Sequence, residues 1–134
     1  EDSDSLDSQS GMHELEALGP GTVYVLPHHS WARFEQDGVF QVGVEDSFLA
    51  AVGRVASVTF PDESELLDQG AVGIRLTNEP GEEHGVAMPV SGQVMAVNPE
   101  VMADPGAIRT DTWMMKVLPT HLDSEIRSLM VRKD

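Results

Sequence analysis

The stretch GAVGIRLTNEPGEEHGVAMPVSGQVMAVN, residues 70–98, decides the fold of this 134-residue chain. Its first apolar residues, Val72, Ile74 and Leu76, occur at every second position, which is the period of a half-buried β-strand. The polar run 78–85 interrupts this pattern, and apolar residues resume directly after it. The stretch therefore predicts a β-hairpin with a polar tip, followed by a further strand.

The tip combines a turn signal with charged side chains. Pro80 fixes its own φ and Gly81 tolerates a positive φ, so the pair predicts the two central positions of a turn. Such a rigid turn loses little entropy on docking, which suits recognition of a protein. The predicted partner-binding residues are Glu79, Pro80, Gly81, Glu82, Glu83 and His84.

Short apolar runs separated by Gly and Pro continue on both sides of this hairpin. Asp37-Gly38 predicts a second hairpin, and Gly53 predicts the end of a short helix over residues 45–52. Many short strands with few helices are typical of a mainly β fold, a small sandwich or flattened barrel.

The C-terminal segment shows the helical period instead. We predict an amphipathic helix over residues 120–131 with Thr120 as its N-cap. The apolar residues on its predicted face are Leu122, Ile126, Leu129 and Met130.

Composition narrows the class of partner. Eight basic against 23 acidic residues give a net charge of −15, which disfavours nucleic acid and anionic membranes and favours a protein with a basic surface. No apolar run approaches the roughly 18 residues of a membrane span, so no membrane insertion is expected. Residues 1–21 are predicted to be an acidic, flexible segment, and residues 22–134 one domain. We expect a cytoplasmic protein, or one of an organelle matrix if a targeting segment was removed upstream of Glu1.

An ordered set of motifs gives the chain a family resemblance. The motifs are HSW at residues 29–31, GVEDSF at 43–48, PVSGQV at 89–94 and WMMKV at 113–117. In this order they resemble the glycine cleavage system H protein family, which has the lipoyl/biotinyl carrier fold. The resemblance implies a barrel-sandwich hybrid of two small antiparallel sheets, with short helices and a C-terminal amphipathic helix.

The tip departs from that family. An H protein carries a lipoylated lysine in an E-S-x-K motif at its hairpin tip. Counting forward from Gly73 places this slot at Glu79, and counting back from Pro89 places it at Gly81. Residues 79–81 contain no lysine. The resemblance therefore implies a degenerate member without the lipoyl-lysine or any other cofactor, a non-lipoylated adaptor or structural subunit that acts by protein–protein docking within a larger enzyme assembly.

Two alternatives remain open at this point. The chain could be a glycine cleavage H-type carrier protein of one-carbon and lipoate metabolism, or a small metal- or ligand-binding module that uses the His-bearing tip. We predict no metal site. The tip residues Glu82, Glu83 and His84 could offer two oxygens and a nitrogen, but a charged run on a loop tip is usually solvated, and the strand neighbours His28 and His29 point to opposite faces.

We also predict no enzyme activity and no catalytic residues. Ser91 has no His near it in the sequence, and Ser30 adjoins His29, but adjacency along a strand gives no hydrogen-bonded pair.

The paired methionines give one further expectation. Met114 and Met115 are predicted to lie at adjacent strand positions, one in the core and one exposed. If the tip is not the binding surface, the sheet face around Trp31 and Met114 is the predicted alternative.

Overall fold

The computed structural model describes residues 21–35 and 37–132, without the side chains of Asp123 and Arg132. The strands in this part are β1 Val23–Leu26, β2 Ser30–Phe34, β3 Phe40–Val44, β4 Val55–Thr59, β5 Leu66–Leu67, β6 Val72–Asn78, β7 Glu83–Ala87, β8 Gly92–Val97, β9 Met115–Pro119 and β10 Met130–Arg132. The helices are α1 Asp46–Val52, α2 Pro99–Ala103 and α3 Leu122–Glu125, with 3-10 turns Pro105–Ala107 and Ile126–Ser128. The predicted flexible segment lies outside the described residues except for Gly21.

The strands form two antiparallel sheets. The larger sheet has the order β10-β1-β2-β3-β9-β8-β5, and the smaller sheet has the order β4-β6-β7. The main core contains inward side chains of both sheets, such as Phe40 and Val42 from the larger and Ile74 and Leu76 from the smaller, all fully buried. The prediction of a mainly β fold with two antiparallel sheets is confirmed.

Local turn chemistry determines the predicted connections. Gly38 adopts φ 86° between β2 and β3, and Asp37 Oδ1 accepts from the Val39 amide at 3.1 Å. Gly53 also adopts φ 86° directly after α1, and its amide donates to Leu49 O. Both positions need a backbone conformation that glycine adopts at low cost, and both predictions are confirmed.

A second apolar cluster lies on the outer face of the larger sheet, the face turned away from the smaller sheet. It contains Val23, Val25 and the fully buried Trp31, with Trp113 packed against them. Trp31 Nε1 donates to Thr110 O at 2.6 Å, so the segment before β9 covers the indole ring.

This cluster overturns the predicted surface around Trp31 and Met114, because both side chains have 0% exposure. The expectation that one of Met114 and Met115 is exposed is also wrong, since both are fully buried. Met114 precedes β9 and donates its amide to Val42 O at 2.7 Å. The alternation of a strand therefore begins only at Met115.

The predicted C-terminal amphipathic helix over residues 120–131 is wrong beyond its first turn. Helix α3 covers only Leu122–Glu125, its N-cap is His121 rather than Thr120, and a 3-10 turn follows. Ile126 and Leu129 are still buried. After them the chain extends into β10, which pairs with β1 through Val25↔Met130. Pairing with the open edge of β1 satisfies backbone groups that a helix would satisfy internally, and it overrides the helical period.

Candidate functional site

The predicted tip is the closed end of the β6–β7 hairpin. The strands pair through Thr77↔Glu83 and Leu76↔His84. The loop is closed by two backbone bonds, from the Asn78 amide to Glu82 O at 2.9 Å and from the Gly81 amide to Asn78 O at 3.0 Å. This is the three-residue hairpin loop in which glycine supplies the positive φ, here 100° at Gly81.

The turn is one residue out of the predicted register. Glu79 and Pro80 are its central residues, because the closing bond joins Gly81 to Asn78; Pro80 and Gly81 were predicted there. Gly81 instead occupies the position that rejoins the strand. The six predicted partner-binding residues nevertheless come together, and all of them except the half-buried His84 are exposed.

Asn78 organises the loop from beneath. Its side chain is 4% exposed, and its Nδ2 donates to Val52 O at 2.9 Å and to Glu82 Oε1 at 3.0 Å. Its Oδ1 accepts from the Glu82 amide at 2.8 Å. One buried amide thus holds both sides of the loop and ties it to the end of α1. The sequence contained only a weak signal for this role, an Asn at the start of a turn.

Two tip carboxylates lie near arginines of the same chain. Arg54 Nε lies 3.0 Å from Glu79 Oε2, and the Glu79 amide donates to Arg54 O at 3.0 Å. Arg75 Nε lies 3.9 Å from Glu83 Oε1. Both pairs are largely exposed, so solvent screens them and they contribute little to stability. Their carboxylates remain accessible to a partner.

His84 extends the tip toward α1. Its ring meets the Phe48 ring edge-on with centroids 6.4 Å apart, and the centroid of the Phe48 ring also lies 6.4 Å from that of the His29 ring. His84 Nε2 is 3.8 Å from Glu82 Oε1, too far for a hydrogen bond. This row of three rings was not predicted, because its members are distant in sequence.

The residues considered for metal binding or catalysis hold structural positions. Ser91 donates its amide to Glu125 Oε1 at 2.7 Å and its hydroxyl to Glu125 Oε2. The Ser30 hydroxyl donates to Ala87 O rather than to His29. Across residues 21–35 and 37–132, no three His, Asp or Glu side chains come together in a group that could hold a metal ion.

An open cavity of about 330 Å³ was also missed by the sequence reasoning. It is lined by Val25, Pro27, His28, Glu45, Ser47, Met130 and Val131. At its rim His28 has a positive φ of 68°, and its Nδ1 lies 3.3 Å from Ser47 Oγ. The two residues are 19 positions apart, so only the fold brings them together.

The one lysine whose side chain is described lies away from the tip. Lys116 belongs to β9 in the larger sheet, and its Nζ is 3.7 Å from Glu35 Oε1. The same ammonium lies 5.2 Å from the centre of the Trp113 ring, a cation–π distance. The Lys116 side chain is 34% exposed. It lies on the outer face of the larger sheet, away from the hairpin loop.

Two antiparallel sheets around one core, with a rigid polar hairpin loop at one end, define a small barrel-sandwich domain of the lipoyl type. Residues 23–134 match the family model described as glycine cleavage H-protein. The chain belongs to the glycine cleavage H-protein family. This confirms the sequence-based resemblance and the barrel-sandwich prediction. Among the described residues, no helix is long and apolar enough to cross a membrane.

Individual relatives agree with this assignment. The chain is similar to a probable glycine cleavage system H protein of Pyrococcus furiosus, with 30% identity over 83% of this chain and 84% of the relative. It is 33% identical to the glycine cleavage system H protein of Saccharophagus degradans, over 78% of this chain and 82% of the relative. The crystal structure of a glycine cleavage system H protein from Mycobacterium marinum superposes with a TM-score of 0.67 at 26% identity, covering 78% of this chain and 88% of that one.

Proposed function

We propose that this chain is a non-lipoylated H-type protein that acts as an adaptor or structural subunit in a larger enzyme assembly. The observation that carries the proposal is the loop itself. Glu79, Pro80 and Gly81 occupy the exposed turn where the resemblance places the lipoyl-lysine. The docking fold is kept, whereas the group that would carry the covalent arm is missing.

Amide formation with lipoate requires a primary amine. The sequence has two lysines, Lys116 and Lys133, and both are far from the loop in sequence. Lys116 is held between Glu35 and Trp113 in a β-strand, which is a poor site for an arm that must swing between partners. The proposed protein therefore has no prosthetic group and no catalysis of its own.

A working glycine cleavage carrier is the second candidate. It is favoured by the comparisons, because the relatives described above all bear the name glycine cleavage system H protein. Such a carrier would need the lipoyl group on Lys116 or Lys133. The two candidates thus differ in one covalent modification that can be weighed directly.

The partner of the proposed adaptor is a protein with a basic surface. The net charge of −15 and the exposed carboxylates of the loop support this choice, since complementary charge steers association. The same charge disfavours nucleic acid and anionic membranes. The expected compartment is that of the assembly, the cytoplasm or an organelle matrix.

The deciding experiment is intact-mass analysis of the protein purified from its own cells, with its native size measured before dissociation. We expect the unmodified mass in a particle larger than the monomer. A lipoyl increment on either lysine would establish the carrier instead. An unmodified protein that is monomeric at cellular concentration would contradict the adaptor role.

A further inference from the structure

We propose that the outer-face patch, formed by Leu66, Met95 and Leu118 on the larger sheet, is a second docking surface. Its occupant is a protein surface with an apolar centre and a basic rim. The inference rests on the proposed docking function, but it concerns a surface on a different sheet from the hairpin loop.

The strand register places these side chains together. Leu66 of β5 pairs with Gln93 of β8, and Gln93 pairs with Leu118 of β9. Directly paired residues of antiparallel strands lie on the same face, so Leu66, Gln93 and Leu118 form one row across three strands. The next residues on these strands, including Leu67 and Val94, pack on the core, which places the row on the outer face.

A β-bulge at Met95 extends the patch beside this row. The pairing of β8 with β9 shifts between Val94 and Ala96, so Met95 is the extra residue. Val94 is buried, and the Met95 side chain is 47% exposed. The thioether therefore lies beside the row, where its flexibility can adapt to a partner.

Exposed apolar side chains that are scattered singly need no explanation. Seven large hydrophobic residues are exposed in the part of the chain that the structure describes. Three of them make up this patch, with exposures of 70% at Leu66, 47% at Met95 and 41% at Leu118. Their concentration in one patch is the feature that points to an occupant.

The patch is held rigidly. The Ser64 amide donates to Val94 O at 2.7 Å, and the Val94 amide donates to Glu65 O at 2.9 Å. These bonds fix the segment that enters the two-residue strand β5. A surface fixed in this way pays little ordering entropy when it docks.

Charge around the patch selects the occupant. Asp62, Glu63 and Glu65 are exposed in the turn that leads into β5. These three carboxylates make the rim at β5 acidic. Lys116 on the same face is already paired with Glu35 and does not neutralise them. A second copy of this chain would bring the same carboxylates against their like. A partner with lysines or arginines around an apolar centre meets both features.

The test places a photo-cross-linking residue at Leu118 of the full-length protein in its own cells. A matched control carries it at Met102, which is 58% exposed on α2. We expect the Leu118 variant to give an adduct that is weak or absent for Met102. The cross-linked peptide of the partner should contain apolar residues flanked by Lys or Arg.

Affinity measurements with the purified partner complete the test. The variants Leu66→Ser and Leu66→Ser/Leu118→Ser should weaken binding about tenfold or more, Glu63→Lys should lower the association rate, and Met102→Ser should change neither. The inference is overturned by an adduct with a second copy alone, by equal adducts at both positions, by an acidic partner peptide, or by affinity that ignores the leucine variants. None of these readouts depends on lipoylation. A lipoyl increment in the intact mass would therefore refute the proposed function without refuting the docking patch.

Discussion

Gly43 lies directly opposite Trp31 in the β2–β3 ladder, and a Cβ atom at Gly43 would fall 2.0 Å from Trp31 Cζ2. The indole cannot retreat, because it is fully buried and its Nε1 is bonded to Thr110 O. The close approach explains why a glycine stands between Val42 and Val44 in this strand: the sheet must leave room for the ring.

We therefore expect Gly43→Ala to lower the free energy of unfolding by about 3 kcal/mol or to prevent folding, as overpacking of a rigid site does. Gly106→Ala is the matched control, because its nearest neighbours lie at 3.8 Å and 3.9 Å. Urea denaturation followed by tryptophan fluorescence measures both variants. A Gly43→Ala protein as stable as the Gly106→Ala protein would show that the ring is not confined.

Asn78 gives a prediction about the loop. Asn78→Ala removes the side-chain bonds to Val52 O and to the Glu82 amide, and we expect a loss of about 1–3 kcal/mol. Amide hydrogen exchange at Glu82 should accelerate more than exchange in the larger sheet.

The neighbouring variant Glu79→Gln is the control for Asn78→Ala. It disturbs only an exposed ion pair with Arg54, so its effect on stability should stay within about 1 kcal/mol. If both variants have the same effect, the loop is not organised by the buried amide.

Glu125 ties the PVSG segment to α3. Its two carboxylate oxygens accept from the amide and the hydroxyl of Ser91, and charge-assisted bonds of this kind are strong. Glu125→Ala should cost about 1.5–3 kcal/mol, and Glu125→Gln should cost less because one acceptor remains. The exposed Arg127→Ala should be nearly neutral. Thermal unfolding measures the stability of the three variants. If Glu125→Ala were as stable as Arg127→Ala, the bonds to Ser91 would not stabilise the fold.

These contacts mark where sequence reasoning succeeds and where it stops. The turns at Gly38 and Gly53 were predictable, because each depends on the backbone chemistry of its own residues. The structure of the C-terminal segment was not predictable from its own residues. The choice between helix and strand after Ile126 depends on the free edge of β1, about a hundred residues earlier. Strand β5 was missed because two residues are too few for a periodic signal.

The position of the former lysine slot, at Glu79 or at Gly81, stays a prediction. The counts from Gly73 and Pro89 disagreed by two residues. The pairing of β6 with β7 shifts between Val72 and Ile74, so β6 contains one more residue than its partner over that interval. A bulge of this kind leaves no periodic trace in a short strand, so the shifted pairing at Gly73 was not predicted.

Restoring an amine to the loop gives a further prediction. Glu79→Lys should fold normally, because the Glu79 side chain is 59% exposed, whereas Gly81→Lys must adopt the positive φ of 100° at a cost of about 1–2 kcal/mol. With a lipoate ligase, we expect Glu79→Lys to gain the lipoyl mass and the unmodified parent to remain unchanged. Lipoylation of the parent protein would refute the loss of the arm.

The last prediction concerns the charge of the loop. Glu82 is a poor site for charge reversal, because its Oε1 and its amide are both bonded to Asn78. The Glu83 side chain makes the long contact of 3.9 Å to Arg75, so Glu83→Lys changes the charge while the loop is kept. We expect the rate of association with the native partner to fall roughly threefold to tenfold, and the rate for the parent protein to fall as salt rises.

Asp111→Lys is the control for Glu83→Lys, since it gives the same change in net charge at an exposed position outside the loop. Stopped-flow measurement of the association rate of each variant at low and high salt separates the effect of charge in the loop from the effect of net charge. Equal slowing by both variants would mean that net charge alone steers the encounter. A rate that ignores the Glu83 substitution but still falls as salt rises would leave the loop without a role in docking, and binding would then depend on the outer-face patch around Leu66 and Leu118.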